Sequence, residues 1–281
     1  RLQTFTARDR SGLSLHALTG SIQSDSATLR VPNLRLQTGH SDMQLFANVD
    51  WSALESDPTG TLRTLLTAEV GKEDLFLLAG TLPDSLKQAF PSEKLKLTAG
   101  VEGNLADLRL RQLKGQWANV FDLNVTGEVK EATDSLLRNG KLRYELQTHD
   151  LAFLLQTLPA SERARYNLPP LHLKGEAQLQ QQRYKATLSL RPKDEAGGVL
   201  LMAKYLPTDK SYAVALQIDS LYPTLFLPQD SLYYLSASLR AEGKGTDPFS
   251  PATQAELKGG ITDIRYGSYA LSDVRLAGEL R

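Results

Sequence analysis

The chain has 281 residues, 32 Lys and Arg against 32 Asp and Glu, and no cysteine. With 41% hydrophobic and 23% charged residues it can bury a core, which disfavours disorder, and a net charge of +0 withholds the cationic excess that a nucleic-acid surface requires. Absent cysteines exclude disulfides, thiolate metal sites and cysteine nucleophiles, while a mean hydropathy of -0.30 argues against a membrane-spanning helix. Arg1 is not an initiator and Arg281 falls within an alternating run, so the sequence reads as a soluble piece of a longer chain, with any leader or anchor outside it.

From end to end, apolar and polar residues alternate with period two, the mark of a strand with one buried and one wet face. The first clear run carries Met43, Leu45, Ala47, Val49 and Trp51 on one parity, followed by Leu95, Leu97, Ala99 and Val101, then Phe121, Leu123, Val125 and Val129. Next come Leu142, Tyr144 and Leu146, the run Leu171, Leu173, Ala177 and Leu179, and the run Tyr184, Ala186, Leu188 and Leu190. Val199, Leu201, Ala203 and Tyr205 follow, then Tyr212, Val214, Leu216 and Ile218, then Tyr233, Leu235, Ala237 and Leu239. Two parity slips, at Val31-Pro32-Asn33-Leu34 and Leu271-Ser272-Asp273-Val274, each require a bulge or short bend to restore the facing.

Turn formers stand between the runs: Asn139-Gly140, Gly197-Gly198, Thr208-Asp209-Lys210 and Gly243-Lys244-Gly245. They favour short hairpins, so the fold class is mainly β, with a mostly antiparallel sheet. Asn139-Gly140 is the sharpest signal, because both central residues of a type I′ turn need positive φ.

An internal repeat interrupts the strands. Asp74-Leu75-Phe76-Leu77-Leu78 through Leu82-Pro83-Asp84-Ser85 to Phe90 matches Asp150-Leu151-Ala152-Phe153-Leu154 through Leu158-Pro159-Ala160-Ser161 to Tyr166, an offset of 76 residues from Asp74 to Asp150. A shortened third copy starts at Asp219-Ser220-Leu221-Tyr222 and reaches Leu227-Pro228. Each full copy reads as a short helix with Asp as its N-cap and proline as its stop. The organisation expected is one continuous repeat-built unit over 1–281: a partial repeat at 1–73, repeats with a short helix at 74–149 and 150–218, and a shortened one at 219–281.

Catalytic signatures are missing from this pattern. His16, His40, His149 and His172 are dispersed, no nucleophile elbow or phosphate loop occurs, and Gly243-Lys244-Gly245-Thr246 lacks the spacing of one. Glu73 and Asp74 fit a helix start, where negative charge is favoured, better than acid-base work. The expectation is a non-enzyme with no cofactor and no metal.

The passage from Ile261 to Leu280, with its Tyr266-Gly267-Ser268-Tyr269 turn between two strands and its closing Gly278-Glu279-Leu280, resembles the recurring phrase of the AsmA-like family. Leu29 to Leu36 followed by Ser41 to Leu45 has the same cadence. The resemblance implies an elongated, curved sheet folded lengthwise, a β-taco with an apolar concave groove, within a protein anchored in the inner membrane of a didermal bacterium. It further implies a periplasmic location, phospholipid acyl chains as cargo and an outer-membrane β-barrel of the assembly machinery as partner, with no nucleic acid. The groove candidates are Leu45, Leu97, Leu123, Leu146, Leu173 and Leu188, continuing with Leu201, Val214, Leu216, Ile218, Leu235 and Ile261. The same alternation also fits a secreted β-sandwich scaffold or adhesin with a sealed core.

Overall fold

Alternation of this kind leaves each strand one apolar face to cover and a full row of backbone donors and acceptors to pair. The structure, a computed structural model, describes residues 7–8, 14–79, 82–193, 197–245 and 253–280. Contacts divide the chain into two units: Arg1–Asp134 with Phe153–Thr157, and Ser135–Ala152 with Leu158–Arg281.

Unit one contains β1 (Ala7–Arg8), β2 (Ser14–Ser24), β3 (Thr28–Thr38), β4 (Asp42–Asp50), β5 (Leu62–Val70), β6 (Leu95–Gly103), β7 (Asp107–Trp117) and β8 (Phe121–Lys130). Each pairs antiparallel with the next. Two helices, α1 (Lys72–Ala79) and α2 (Asp84–Ala89), fall between β5 and β6, and 3-10 turns span Trp51–Leu54 and Ala152–Thr157. Unit two contains β9 (Asn139–Thr148), β10 (Leu171–Gln180), β11 (Arg183–Pro192), β12 (Gly198–Leu206), β13 (Ser211–Leu221), β14 (Leu232–Lys244), β15 (Gln254–Tyr266) and β16 (Tyr269–Leu280). These too pair antiparallel in chain order, with helix α3 (Ala160–Arg163) after β9 and a 3-10 turn at Pro223–Leu225. In neither unit do the first and last strands pair with each other among the described residues, so neither closes into a barrel of its own.

The first parity slip is a bulge, the β3–β4 register jumping between Val31 and Leu34. The second is a local bend without a register shift: Asp273 takes a left-handed φ of 56, while Val274 and Leu271 face Ile261 and Ile264 in one unbroken ladder. The Thr208-Asp209-Lys210 turn joins β12 to β13, with the Asp209 carboxylate accepting the Ser211 N–H at 3.0 Å. Gly197 and Gly245 likewise flank hairpin connections, although Gly243 and Lys244 still belong to β14.

Three local expectations are corrected. Asn139 and Gly140 are not a turn but the first residues of β9, opposite Gln180 and Leu179. The two-residue hairpin of this region lies between β10 and β11, where Gln181 and Gln182 carry the paired positive φ values of 46 and 65. Strand pairing decided this, because β9 needs those two residues to complete its ladder with β10. Trp51 does not continue β4 but opens a 3-10 turn. Asp74 is not an N-cap: α1 starts two residues earlier, and the buried Asp74 carboxylate accepts hydroxyl hydrogen bonds from Thr38 and Ser41 of the β3–β4 turn. Ser41 Oγ in turn accepts the Gly71 N–H at 3.0 Å, so those hydroxyls supply the partner that the helix N-terminus would otherwise have been.

Asp150 does accept the Ala152 N–H at 2.8 Å, though a 3-10 turn follows it instead of an α-helix. Each single helix expected per repeat becomes two short pieces broken at proline. Pro83 and Pro159 precede α2 and α3 with nearly the same backbone angles, φ -57 ψ 141 and φ -55 ψ 145. Their carbonyls accept from Leu86 N–H at 3.0 Å and Glu162 N–H at 2.9 Å, so the local geometry recurs at the 76-residue offset.

Candidate functional site

Residues directly opposed in an antiparallel pair project to the same side, so the register states which side chains share a face. In unit two, Leu146, Leu173, Leu190, Val199, Ile218, Ala237, Ile261 and Val274 oppose one another in succession from β9 to β16. A second row runs Tyr144, Gly175, Leu188, Leu201, Leu216, Leu239, Gly259, Leu276, and a third runs Leu142, Ala177, Ala186, Ala203, Val214, Ala241, Leu257, Gly278. At the hairpin ends of β11 to β13 the face closes with Tyr184, Tyr205 and Tyr212. Leu235, two residues before Ala237 on β14, joins it at the other end, where the bulge at Ser220, φ 49, brings Leu221 opposite it and Ile264 faces it from β15.

Unit one repeats the arrangement. Leu36, Met43, Ala68, Leu97, Gly115 and Leu123 oppose one another from β3 to β8, beside a row of Leu34, Leu45, Leu66, Ala99, Leu113 and Val125. The structure therefore places three candidate residues on the apolar face of unit one and nine on that of unit two. All twelve are half-buried.

What covers these faces differs. Among the described residues the buried Val, Ala, Leu and Trp side chains, Val31, Ala47, Val49 and Trp117 included, all lie in unit one. There Phe90, just past α2, stands 4.8 Å from Phe76 of α1, 5.0 Å from Trp117 and 5.5 Å from Phe153, and Trp117 stands 6.0 Å from Phe121, measured between ring centroids. The Trp117 indole N–H donates to the Glu93 carbonyl at 2.8 Å. At the opposite strand ends the turn at Trp51–Leu54 buries Ala53, whose carbonyl accepts Leu105 N–H at 3.1 Å. Sequence reasoning expected helices here but missed this aromatic cover, whose signal was the Phe90 and Phe153 pairing with the two ends of the Trp117 hairpin.

In unit two, large side chains lie down over glycines. A Cβ on Gly175 would collide with the Tyr144 phenol, one on Gly243 with the Tyr212 phenol, and one on Gly259 with Leu239. The opposite face is charged. Glu176 takes Lys141 and Arg143, each at 3.0 Å, and Glu145 takes His172 at 2.7 Å and Lys174 at 3.3 Å. Arg240 pairs with Glu242 and Lys258 with Glu256. Hydrogen bonds from Lys141, Gln178 and Arg143 hold the Glu176 carboxyl down at about 2, and the bond to His172 followed by that to Lys174 lowers Glu145. His172 thus lies on the wet face, as its alternation with Leu171 and Leu173 requires.

Among the described residues no set of three His, Asp or Glu is placed to hold a metal ion, and no helix is long and apolar enough to cross a membrane. What this arrangement can do is adsorb apolar matter along one face while staying wettable on the other. No protein-family model, no curated protein and no solved structure matches the chain.

Proposed function

We propose that the chain is a periplasmic segment of a TamB-type member of the AsmA-like proteins, whose apolar face lines a groove for phospholipid acyl chains moving between inner and outer membrane. In this reading the sheet folds lengthwise as a β-taco, is tethered to the inner membrane by the rest of its chain, and supports outer-membrane protein assembly beside a β-barrel partner. It needs no catalytic centre and no cofactor.

One observation carries the reading: in unit two, apolar rows continue across eight described strands with every candidate side chain only half-buried. A dry core would bury them. Uncovered apolar surface gains about 25 cal/mol for each Å² that an alkyl chain removes from water, and such binding is indifferent to headgroup. The cadence of Ile261 to Leu280 favours the AsmA-like assignment over other apolar β surfaces.

Mass spectrometry of an organic extract of the purified chain tests it, with phospholipid as the expected finding. Leu216 lies between Leu201 and Leu239 on the apolar face, whereas exposed Gln217 points to the charged one. Leu216→Asp is expected to fold with a modest loss of stability and to lose bound lipid, because a carboxylate among alkyl chains is left unpaired. Gln217→Asp is expected to keep both. An insoluble Leu216→Asp would favour a sealed scaffold, and a folded variant with full lipid content would remove this strand from the groove.

A further inference from the structure

At the hairpin ends of β11, β12 and β13 the charged face departs from its own rule. Lys185 stands directly opposite Lys204, a like-charged cross-strand pair that destabilises a sheet, with Gln178 and Ala213 as the next partners in register. Arg183 precedes Lys185 by two residues on the same face. None of these three cations has an ion pair or hydrogen bond among the described residues, whereas the neighbouring cations of β9, β10, β14 and β15 named above hold carboxylates.

One residue away on the strands, Tyr184, Tyr205 and Tyr212 end the apolar face, the first two with ring centroids 6.5 Å apart. Tyrosine suits such a boundary, since its ring is apolar and its hydroxyl wet. An open recess of about 310 Å³ is lined by these six residues together with Leu206, Ser211 and Ala213. Unneutralised cations thus adjoin the edge of an apolar surface, the juxtaposition an anionic amphiphile fits.

We infer that this recess holds the phosphoryl headgroup of an amphiphile whose alkyl chain turns round the hairpin ends, past Tyr184, Tyr205 and Tyr212, onto the apolar face. The inference rests on the acyl-chain reading above and adds a headgroup preference that an apolar groove alone lacks. Arg183 offers a planar fork of donors, Lys185 and Lys204 are compact point charges, and a tetrahedral oxyanion has enough acceptors for all three while relieving the lysine repulsion.

The test measures binding of dodecyl phosphate, dodecyl maltoside and inorganic phosphate by calorimetry, below micelle-forming concentrations. It compares the 281-residue chain with the variant carrying Arg183→Gln, Lys185→Gln and Lys204→Gln. The unmodified chain is expected to prefer dodecyl phosphate over dodecyl maltoside by roughly tenfold or more, as charge-assisted hydrogen bonds imply. The variant should lose that margin while keeping its maltoside affinity and melting temperature. The single variant Lys185→Gln, which leaves the other two cations, should shrink the margin in the same direction even if the triple variant folds poorly. An intact margin in the variants, or none in the unmodified chain, overturns the inference and leaves the acyl-chain reading standing. Phosphate-dependent binding with no maltoside binding overturns the acyl-chain reading instead. Inorganic phosphate binding as tightly as dodecyl phosphate would make the recess a site for free phosphate and overturn the amphiphile.

Discussion

Units one and two are built from the same alternating strands, yet among the described residues the buried Val, Ala, Leu and Trp side chains lie in the first, and the second buries only prolines such as Pro192 and Pro223 among its large apolar side chains. Unit one has Trp117 at 7% exposure under Phe90 and Phe153, whereas Leu188, Leu201 and Leu216 of unit two are half-buried with no aromatic ring cluster over them among the described residues. The difference lies in the interruptions. The first repeat, with Phe153 from the second, brings large aromatic rings back onto the strand ends, while α3 of unit two is four residues long and buries none of them. Strand alternation therefore specifies a two-faced sheet without specifying what covers it; the inserted segments do that.

The comparison breaks most readily at Trp117. Trp117→Ala is expected to cost about 3 to 5 kcal/mol, the range for deleting a large buried aromatic, whereas Leu216→Ala in unit two should cost no more than about 1.5 kcal/mol because the site is already half open. Chemical denaturation of both variants checks this, and equal losses would mean that the two faces are covered alike.

A smaller effect of opposite sign is expected at the β10–β11 hairpin. Gln181 and Gln182 occupy left-handed backbone that their side chains disfavour, so replacing them by Asn-Gly should stabilise unit two by about 0.5 to 1 kcal/mol. A lowered melting temperature would show that the Gln side chains matter for more than the turn.

The smallest effect concerns the charged face. The Glu176 carboxyl titrates at about 2 in the folded chain against a usual 4.5, so the unfolded state takes up its proton first as pH falls. Its contribution is fully present above the usual value and is lost as pH drops toward about 2. Glu176→Gln should therefore flatten the fall of melting temperature across that window and change little at neutral pH. An unaltered acid limb would assign the acid sensitivity to other carboxylates.

Much of this architecture is legible in the sequence because parity is a local property. The alternation alone puts Leu216 and Gln217 on opposite faces, the slip at Pro32 announces its bulge, and the slip at Asp273 announces a bend. Turn chemistry is less decisive, as Asn139-Gly140 shows: its preference for a hairpin is worth less than ladder pairing with Leu179 and Gln180, and Gln181-Gln182 bends under the same demand. The partners of Asp74 were hidden because Thr38 and Ser41 are more than thirty residues away in the chain. Of the candidate site, the apolar parity was readable, whereas the uncompensated Lys185 and Lys204 emerge only once the register sets them face to face.

The glycines beneath Tyr144, Tyr212 and Leu239 bear on friction. A bulky side chain standing beside another leaves ridges and pits, and an alkyl chain crossing them must climb out of each well of dispersion contacts. Where the neighbour lacks a Cβ, the ring or isobutyl group folds into the gap and the relief is levelled. Under the acyl-chain proposal, an alkyl chain on such terrain would meet shallow wells of similar depth, so its translation along the rows would be fast and its residence at any one strand brief. Filling the gap with Gly259→Ala, where the nearest atom is the end of the Leu239 side chain, would roughen that path without adding a charge, and under the acyl-chain proposal it would favour retention over passage.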